Sequence, residues 1–225
     1  MDLKLEEVAC LLDISEHTVL QWLEQGAIPS YSMNNEYRFN REEIEDWILH
    51  NQSLLVHERP ENKDTFRDLS LKYSLYKAIY HGGVLRNVVV NDKEEALQYA
   101  AKYIAEKFHL DESVLFEMLL HREHLMSTGI GKGIALPHAK DFLIKAYHDV
   151  VVVMFLPKPI QYGALDGKPV NILFFLFACQ DKNHLNLVNK VVHLGMSSDA
   201  RKFFNSYPDK EQLLAYIKEW EFQTH

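Results

Sequence analysis

The sequence predicts a two-part α/β protein, with a small, mainly helical unit followed by a larger unit of strands and helices. Three observations carry this. Apolar residues recur at helical spacing at Leu5, Val8, Ala9 and Leu12, at Val19, Trp22 and Leu23, and at Ile44, Trp47 and Ile48. Two near-continuous apolar runs, Val150 to Leu156 and Val170 to Cys179, have strand length, and the first reads as a strand covered on both faces. Between these regions the stretch 51–65 is polar, with Pro60, Glu61, Asn62, Lys63 and Asp64 in a row, and reads as a linker. The expected organisation is a first domain at 1–50, a linker at 51–65 and a second domain at 66–225.

The 225 residues are 47% apolar and 25% charged, an ordinary globular balance. No apolar run approaches the length of a membrane-spanning helix, and acids at Asp2, Glu6 and Glu7 do not fit a signal peptide. The expectation is a cytoplasmic protein with no membrane insertion. Cys10 and Cys179 fall in different parts, so no structural disulfide is expected and both read as buried thiols. The formal charge is −8, and residues 1–50 hold all of the excess, with three Lys or Arg against eleven acids.

In the first part, Asp13-Ile14-Ser15 reads as a tight turn, with Ser15 placed to cap a second helix and Gly26 to end it. An extended piece then runs to Tyr37-Arg38-Phe39, and Asn40 with Glu43 opens a third helix carrying Ile44, Trp47 and Ile48 inward. Glu6 to Ala9, Ile14-Ser15, Thr18-Val19, Trp22-Leu23, Gly26, Ile28-Pro29 and Arg41 through Trp47 together resemble the excisionase/MerR-like helix-turn-helix group. The resemblance implies that the second helix reads DNA and the hairpin serves as a wing. The outward residues Glu16, His17, Gln21 and Glu24 include no lysine or arginine, and a unit at −8 repels phosphates. DNA binding and protein docking both stand as readings. Gln21, Arg38 and Arg41 are the candidate nucleic-acid contacts.

In the second part, Phe66, Leu69, Tyr73, Tyr76 and Tyr80 space as a helix stopped by Gly82-Gly83, and Val84 to Val90 reads as a strand. Asp92 and Glu95 open a helix with Ala96, Leu97, Ala100, Ala101, Ile104 and Phe108 inward. Asp111 opens another, with Val114, Leu115, Met118 and Leu119 inward, ending at His121-Arg122. Two further helical stripes follow at Leu185, Val188 and Val192 and at Leu213, Leu214, Ile217 and Trp220. His121 and His124 lie three apart, but no third and fourth ligand accompany them at metal-site spacing, so no metal is expected.

The chemistry concentrates at Ser127-Thr128-Gly129-Ile130-Gly131-Lys132-Gly133-Ile134-Ala135-Leu136-Pro137-His138. Alternating glycines allow backbone N–H groups to converge on an anion, Pro137 stiffens the approach, and His138 delivers a nucleophilic imidazole. A dinucleotide fingerprint is excluded because no strand-like run precedes the glycines and no helix follows. A phosphate loop is excluded because Lys132 is followed by Gly133. Arg122-Glu123, Ser127 to Gly131 and Ile134 to His138 resemble the active-site signature of the fructose/mannitol/nitrogen-regulatory type of enzyme IIA of the bacterial phosphotransferase system, and the similarity spans about the last two-thirds of the chain.

That resemblance implies a mixed β-sheet flanked by helices and a surface site for a protein donor. It implies His138 as phosphoacceptor from an HPr-like phosphocarrier, Arg122 as the cation for the phosphoryl oxygens, and His184 beside His138. Ser127 and Thr128 either donate hydroxyl hydrogen bonds or cap the turn, and the N–H groups near Gly131 and Gly133 are candidates for the phosphate. Asp166-Gly167 reads as a structural turn. No metal or organic cofactor is implied. The expected function is a regulatory phosphoacceptor coupled to a DNA- or protein-binding module. The alternatives are a transport component passing phosphate to a separate IIB protein and a phosphorylation-independent binding protein.

Overall fold

The computed structural model describes residues 2–12, 14–33, 36–51, 54, 74–139, 148–178 and 181–224. The first unit comprises β1 (Asp2–Leu3), α1 (Leu5–Leu12), α2 (Glu16–Glu24), β2 (Tyr31–Met33), β3 (Glu36–Asn40) and α3 (Arg41–His50), with an antiparallel sheet in the order β1-β3-β2. Local chemistry sets its boundaries. Ser15 Oγ accepts from Thr18 N at 3.0 Å and opens α2. At the other end Gly26 takes φ 65°, Gly26 N bonds Leu23 O and Ala27 N bonds Trp22 O, closing the helix through a left-handed glycine. Asn40 Oδ1 accepts from Glu42 N and Glu43 N to start α3. Ile44, Trp47 and Ile48 are buried as expected, and Trp47 donates Nε1–H to Ala27 O at 2.5 Å while its ring tilts against Trp22.

The second unit runs α4 (Ser74–Gly82), β4 (Gly83–Leu85), α5 (Lys93–Phe108), α6 (Glu112–Leu125), β5 (Gly129–Gly131), β6 (Ile134–Ala135), β7 (Val150–Ile160), β8 (Val170–Phe177), α7 (Asp181–Met196), α8 (Ser198–Phe204) and α9 (Lys210–Thr224). Its sheet has the order β4-β7-β8-β6-β5. β4 is parallel to β7 and β6 to β8, while β7 with β8 and β5 with β6 are antiparallel, so the sheet is mixed. The two central strands are apolar at nearly every position because both faces are covered. Val151, Val153, Phe155, Ile172, Phe174 and Leu176 face one core, shared with α4, α7, α8 and α9. Val150, Val152, Met154, Leu173 and Phe175 face the other, shared with α5 and α6.

Three expectations are corrected. The strand read over Val84 to Val90 is only β4, because Asn87 adopts a left-handed conformation, φ 57°, that ends pairing with β7; Val88 and Val90 are buried without being in the sheet. The helix opened by Asp111 continues past His121-Arg122 to Leu125, since nothing before Ser127 breaks it and Arg122 caps its end. Cys10 is exposed, on the side of α1 away from Val8, Leu11 and Leu12. Cys179, Asp13, Phe66, Leu69, Tyr73 and nearly all of the linker lie outside the described residues.

The two units are not separated by solvent. Helices α1 and α3 pack on α7, one apolar core runs from Val8, Leu11 and Ile48 to Val188 and Val192, and Asn189 Nδ2 donates to Leu11 O at 3.1 Å. Beneath this junction lies a buried ion pair. Lys190 Nζ is 2.5 Å from Glu221 Oε1 and 2.9 Å from Ser74 Oγ, and Glu221 also accepts from Leu75 N and Tyr76 N at the start of α4. Removing one partner strands the other charge in the core. Lys190→Met is therefore expected to lower the unfolding free energy by about 3–5 kcal/mol in denaturant titrations, and Lys190→Met combined with Glu221→Leu to recover much of that loss.

Candidate functional site

Three elements of the second unit converge at His138. The imidazole follows Pro137 at the end of the chain leaving β6, where Leu176 N bonds Pro137 O and ties the segment to β8. Its Nδ1 lies 2.7 Å from Leu136 O. A carbonyl oxygen only accepts, so Nδ1 carries a proton, and in the neutral form of the ring the lone pair is on Nε2. Arg122, in the last turn of α6, places Nε 3.0 Å from that Nε2 and gives Nη1–H to Met126 O at 3.0 Å, so one guanidinium both caps its helix and faces the imidazole. His184, in the first turn of α7, stacks edge-on to His138 with ring centroids 5.1 Å apart. Arg122, His138 and His184 are 3%, 1% and 2% exposed. The structure thus brings together the three residues singled out from the sequence.

Behind them Glu123 organises the loop. Its carboxylate accepts from Thr128 N, from Thr128 Oγ1 at 2.6 Å and from the Tyr162 hydroxyl at 3.1 Å, and Lys93 Nζ lies 3.7 Å away. Burial, and then the Glu123 charge, push the Tyr162 phenol well above its ordinary range, which keeps it a donor. Thr128's hydroxyl is therefore committed to Glu123, and Ser127 Oγ accepts from Gly129 N at 3.3 Å, capping the turn. The Gly131-Lys132-Gly133 corner, with φ of 88°, 54° and 84°, does hold an anion, but it is the Asp166 carboxylate, which accepts from Lys132 N at 2.9 Å. Asp166 also accepts from Lys168 N, as a turn residue should.

The residue that sequence reasoning missed comes from the first unit. Glu45 of α3, 6% exposed, enters the site. Its Oε1 lies against His138 Nε2, and its Oε2 is 3.2 Å from His184 Nε2, close enough for charge pairing but not aligned as a hydrogen bond. Arg122 Nη2 is 3.5 Å from Glu45 Oε1 and 3.3 Å from Asp46 Oδ1. Burial opposes ionisation of Glu45, but His138 and then His184 outweigh it and hold the carboxyl far below its usual range. The available signal was position: Glu45 stands one turn before the buried Leu49, on a second inward stripe of α3.

Among the remaining candidates, Gln21 pairs with His17 on exposed α2, and Arg38 pairs with Glu36 on β3. Arg41 lies near enough to His184 for its charge to act on that ring. His121 and His124 are both exposed on α6. Glu45, His138 and His184 each offer a ligand atom within 4.8 Å of one another, a set that could hold a metal. The guanidinium of Arg122 aimed at the same Nε2 makes this a poor seat for a cation and a good one for an anion.

The profile of the phosphoenolpyruvate-dependent sugar phosphotransferase system EIIA 2 family matches residues 79–220. The chain belongs to that family. A helix-turn-helix domain profile matches residues 3–52. Two "Nitrogen regulatory protein" relatives are 34% identical over 139 residues (Pseudomonas aeruginosa; 60% of this chain, 89% of the relative) and 32% identical over 136 residues (Bradyrhizobium diazoefficiens; 60% and 88%). The crystal structure of nitrogen regulatory protein IIA-Ntr from Neisseria meningitidis superposes with a TM-score of 0.55 at 26% identity, covering 60% of this chain and 91% of that one. The mixed sheet flanked by helices is thus the fold of this family, with a helix-turn-helix domain before it.

Within this site, His184 has a measurable consequence. Burial lowers its proton affinity below the ordinary imidazole value; Glu45 opposes this, and the charges of His138 and Arg41 add to it. The unfolded chain therefore takes up a proton that the folded site refuses, and stability falls as pH drops below about 6.5. The thermal midpoint is expected to decline between about pH 7 and about pH 5.5, and to decline less in His184→Gln. Identical slopes for the two proteins would contradict this assignment. His81, also lowered by burial, is common to both and cancels in the comparison.

Proposed function

We propose that the chain is a regulatory phosphoacceptor of the phosphotransferase system, which takes a phosphoryl group on His138 from an HPr-like phosphocarrier and couples that state to its helix-turn-helix unit. The observation that supports this best is the imidazole's arrangement: Nδ1–H is held by the Leu136 carbonyl, and Nε2 is turned toward a buried arginine. In the transfer, the Nε2 lone pair forms the new N–P bond as the donor's N–P bond breaks, and the donor imidazole leaves with its electron pair. The acceptor ring becomes positive, and the Leu136 carbonyl holding Nδ1–H stabilises it. Arg122 supplies guanidinium N–H groups to the moving phosphoryl oxygens and cannot lose its charge. His184, beside Nε2, orients the group. Bond making and breaking involve like partners, so positioning and charge supply most of the catalysis.

A regulatory role is favoured over sugar transport because the nitrogen regulatory relatives are matched over nearly their whole length. In contrast, "PTS system mannitol-specific EIICBA component" from Pasteurella multocida is 28% identical over 20% of its length. The target of the phosphorylated state is a IIB protein or a regulatory protein. Exposed α2, with Glu16, His17, Gln21 and Glu24 outward, makes DNA a weak partner at most. The setting this chemistry requires is the cytoplasm, where phosphoenolpyruvate and the carrier are found; no described helix is long and apolar enough to cross a membrane.

The test is intact-mass analysis after incubation with enzyme I, the phosphocarrier and phosphoenolpyruvate. Wild type is expected to gain one phosphate, located on Nε2 by NMR, and His138→Ala none. Arg122→Ala is expected to slow the gain by about 10²–10³-fold. A phosphorylated His138→Ala protein would overturn the assignment.

A further inference from the structure

We infer that the seat of the phosphoryl group is also a docking site for an acidic helix, and that its occupant here is α3 of the same chain, with the Glu45 carboxylate standing where the phosphoryl group would be. This rests on the reading of His138 as phosphoacceptor. Glu45 Oε1 lies against Nε2, the atom that must bond phosphorus, and both carboxylate oxygens are shared among His138, His184 and Arg122. His184 and Arg122 are the partners that phosphoryl oxygens would use, and Nε2 is the atom that phosphorus would take. Neighbouring acids behave differently: Glu42 and Glu43 are exposed and Asp46 is half exposed, so only Glu45 is fully drawn in.

The occupant is identified by continuity as well as by charge. Helices α1 and α3 are seated on α7 through an unbroken apolar core, and the Asn189 side chain bonds Leu11 O across the junction. The eleven acids of residues 1–50 make this unit a poor match for nucleic acid and a good match for a site whose buried fixed charge is Arg122. The same three donors would suit a divalent cation, but the guanidinium 3.0 Å from Nε2 opposes one.

Docking and phosphorylation therefore exclude one another. With Glu45 in place, phosphorus cannot reach Nε2. Once the N–P bond has formed, the phosphoryl group's charge of about −1.5 to −2 repels the Glu45 carboxylate in a buried site. Thermodynamic linkage makes the effect reciprocal: docking lowers the equilibrium extent of phosphorylation by the same factor as phosphorylation weakens docking of the helix-turn-helix unit. Occupancy of His138 therefore raises the fraction of the unit that is available to a partner.

The test compares full-length wild type, Glu45→Gln and Glu45→Ala. Glu45→Gln keeps the shape and loses the charge, and serves if Glu45→Ala folds poorly. Initial rates of phosphate gain from the phosphocarrier are expected to rise about tenfold in the variants, because a larger fraction of sites is open. Hydrogen exchange of α3 amides is expected to quicken when wild type is phosphorylated, and to be quick in the variants beforehand. Equal rates for all three proteins, with α3 exchange unchanged on phosphorylation, would overturn the docking inference and leave His138 as phosphoacceptor. No phosphate gain in any protein would overturn the functional reading and this inference with it. Stoichiometric Zn²⁺ binding by wild type that is lost in Glu45→Gln would show a metal site instead.

Discussion

The site is governed by a buried positive charge that cannot be neutralised. Arg122 is 3% exposed, and a guanidinium keeps its proton at any ordinary pH. Such a group demands an anion, because leaving it unmatched in a low-dielectric setting is costly. The surroundings answer this in layers. The Met126 carbonyl takes one N–H, His138 Nε2 faces another, and Glu45 and Asp46 supply negative charge. The third layer is the exchangeable one. In the transfer proposed above, a carboxylate and a phosphoryl group would compete for the same guanidinium, which ties the position of α3 to the chemical state of His138.

Much of this was legible in the sequence, for identifiable reasons. Capping residues announce themselves locally, and Ser15, Asn40, Asp92 and Asp111 all open helices with the expected side-chain bonds. The continuous apolar runs predicted two strands, the first of them covered on both faces, and both lie between the two cores. Arg122, His138 and His184 could be grouped because their motif is long and ordered along the chain. Glu45 could not. An acid in an amphipathic helix reads as surface, and its meaning depends on Arg122, 77 residues away, and on a helix packing that no local pattern encodes. The strand read over Val84 to Val90 failed for the opposite reason: the composition was right, but the backbone of Asn87 turned the chain out of the sheet.

The glycine-rich corner repays attention for what it holds. In the sequence the corner reads as a candidate phosphate seat, and the anion it faces here is Asp166, from the loop before β8. The corner therefore braces the β5–β6 hairpin against the neighbouring loop, and His138 is positioned by strand pairing with β8 and by the Leu136 carbonyl. Glu123 has a similar office on the other side, joining Thr128 and Tyr162. The reactive ring sits between two rigid braces, which suits chemistry that depends on placement more than on acid–base work.

The junction between the units combines an apolar core with a carboxylate among cationic and imidazole groups, and these respond differently to heat. Apolar burial carries a large heat-capacity change and weakens on cooling, whereas charged groups are more costly to dehydrate in the cold. Both trends loosen the seat of α1 and α3 on α7 as temperature falls. Under the docking inferred above, the balance between closed and open forms is thus set by temperature as well as by phosphorylation, and cooling shifts it toward the open form.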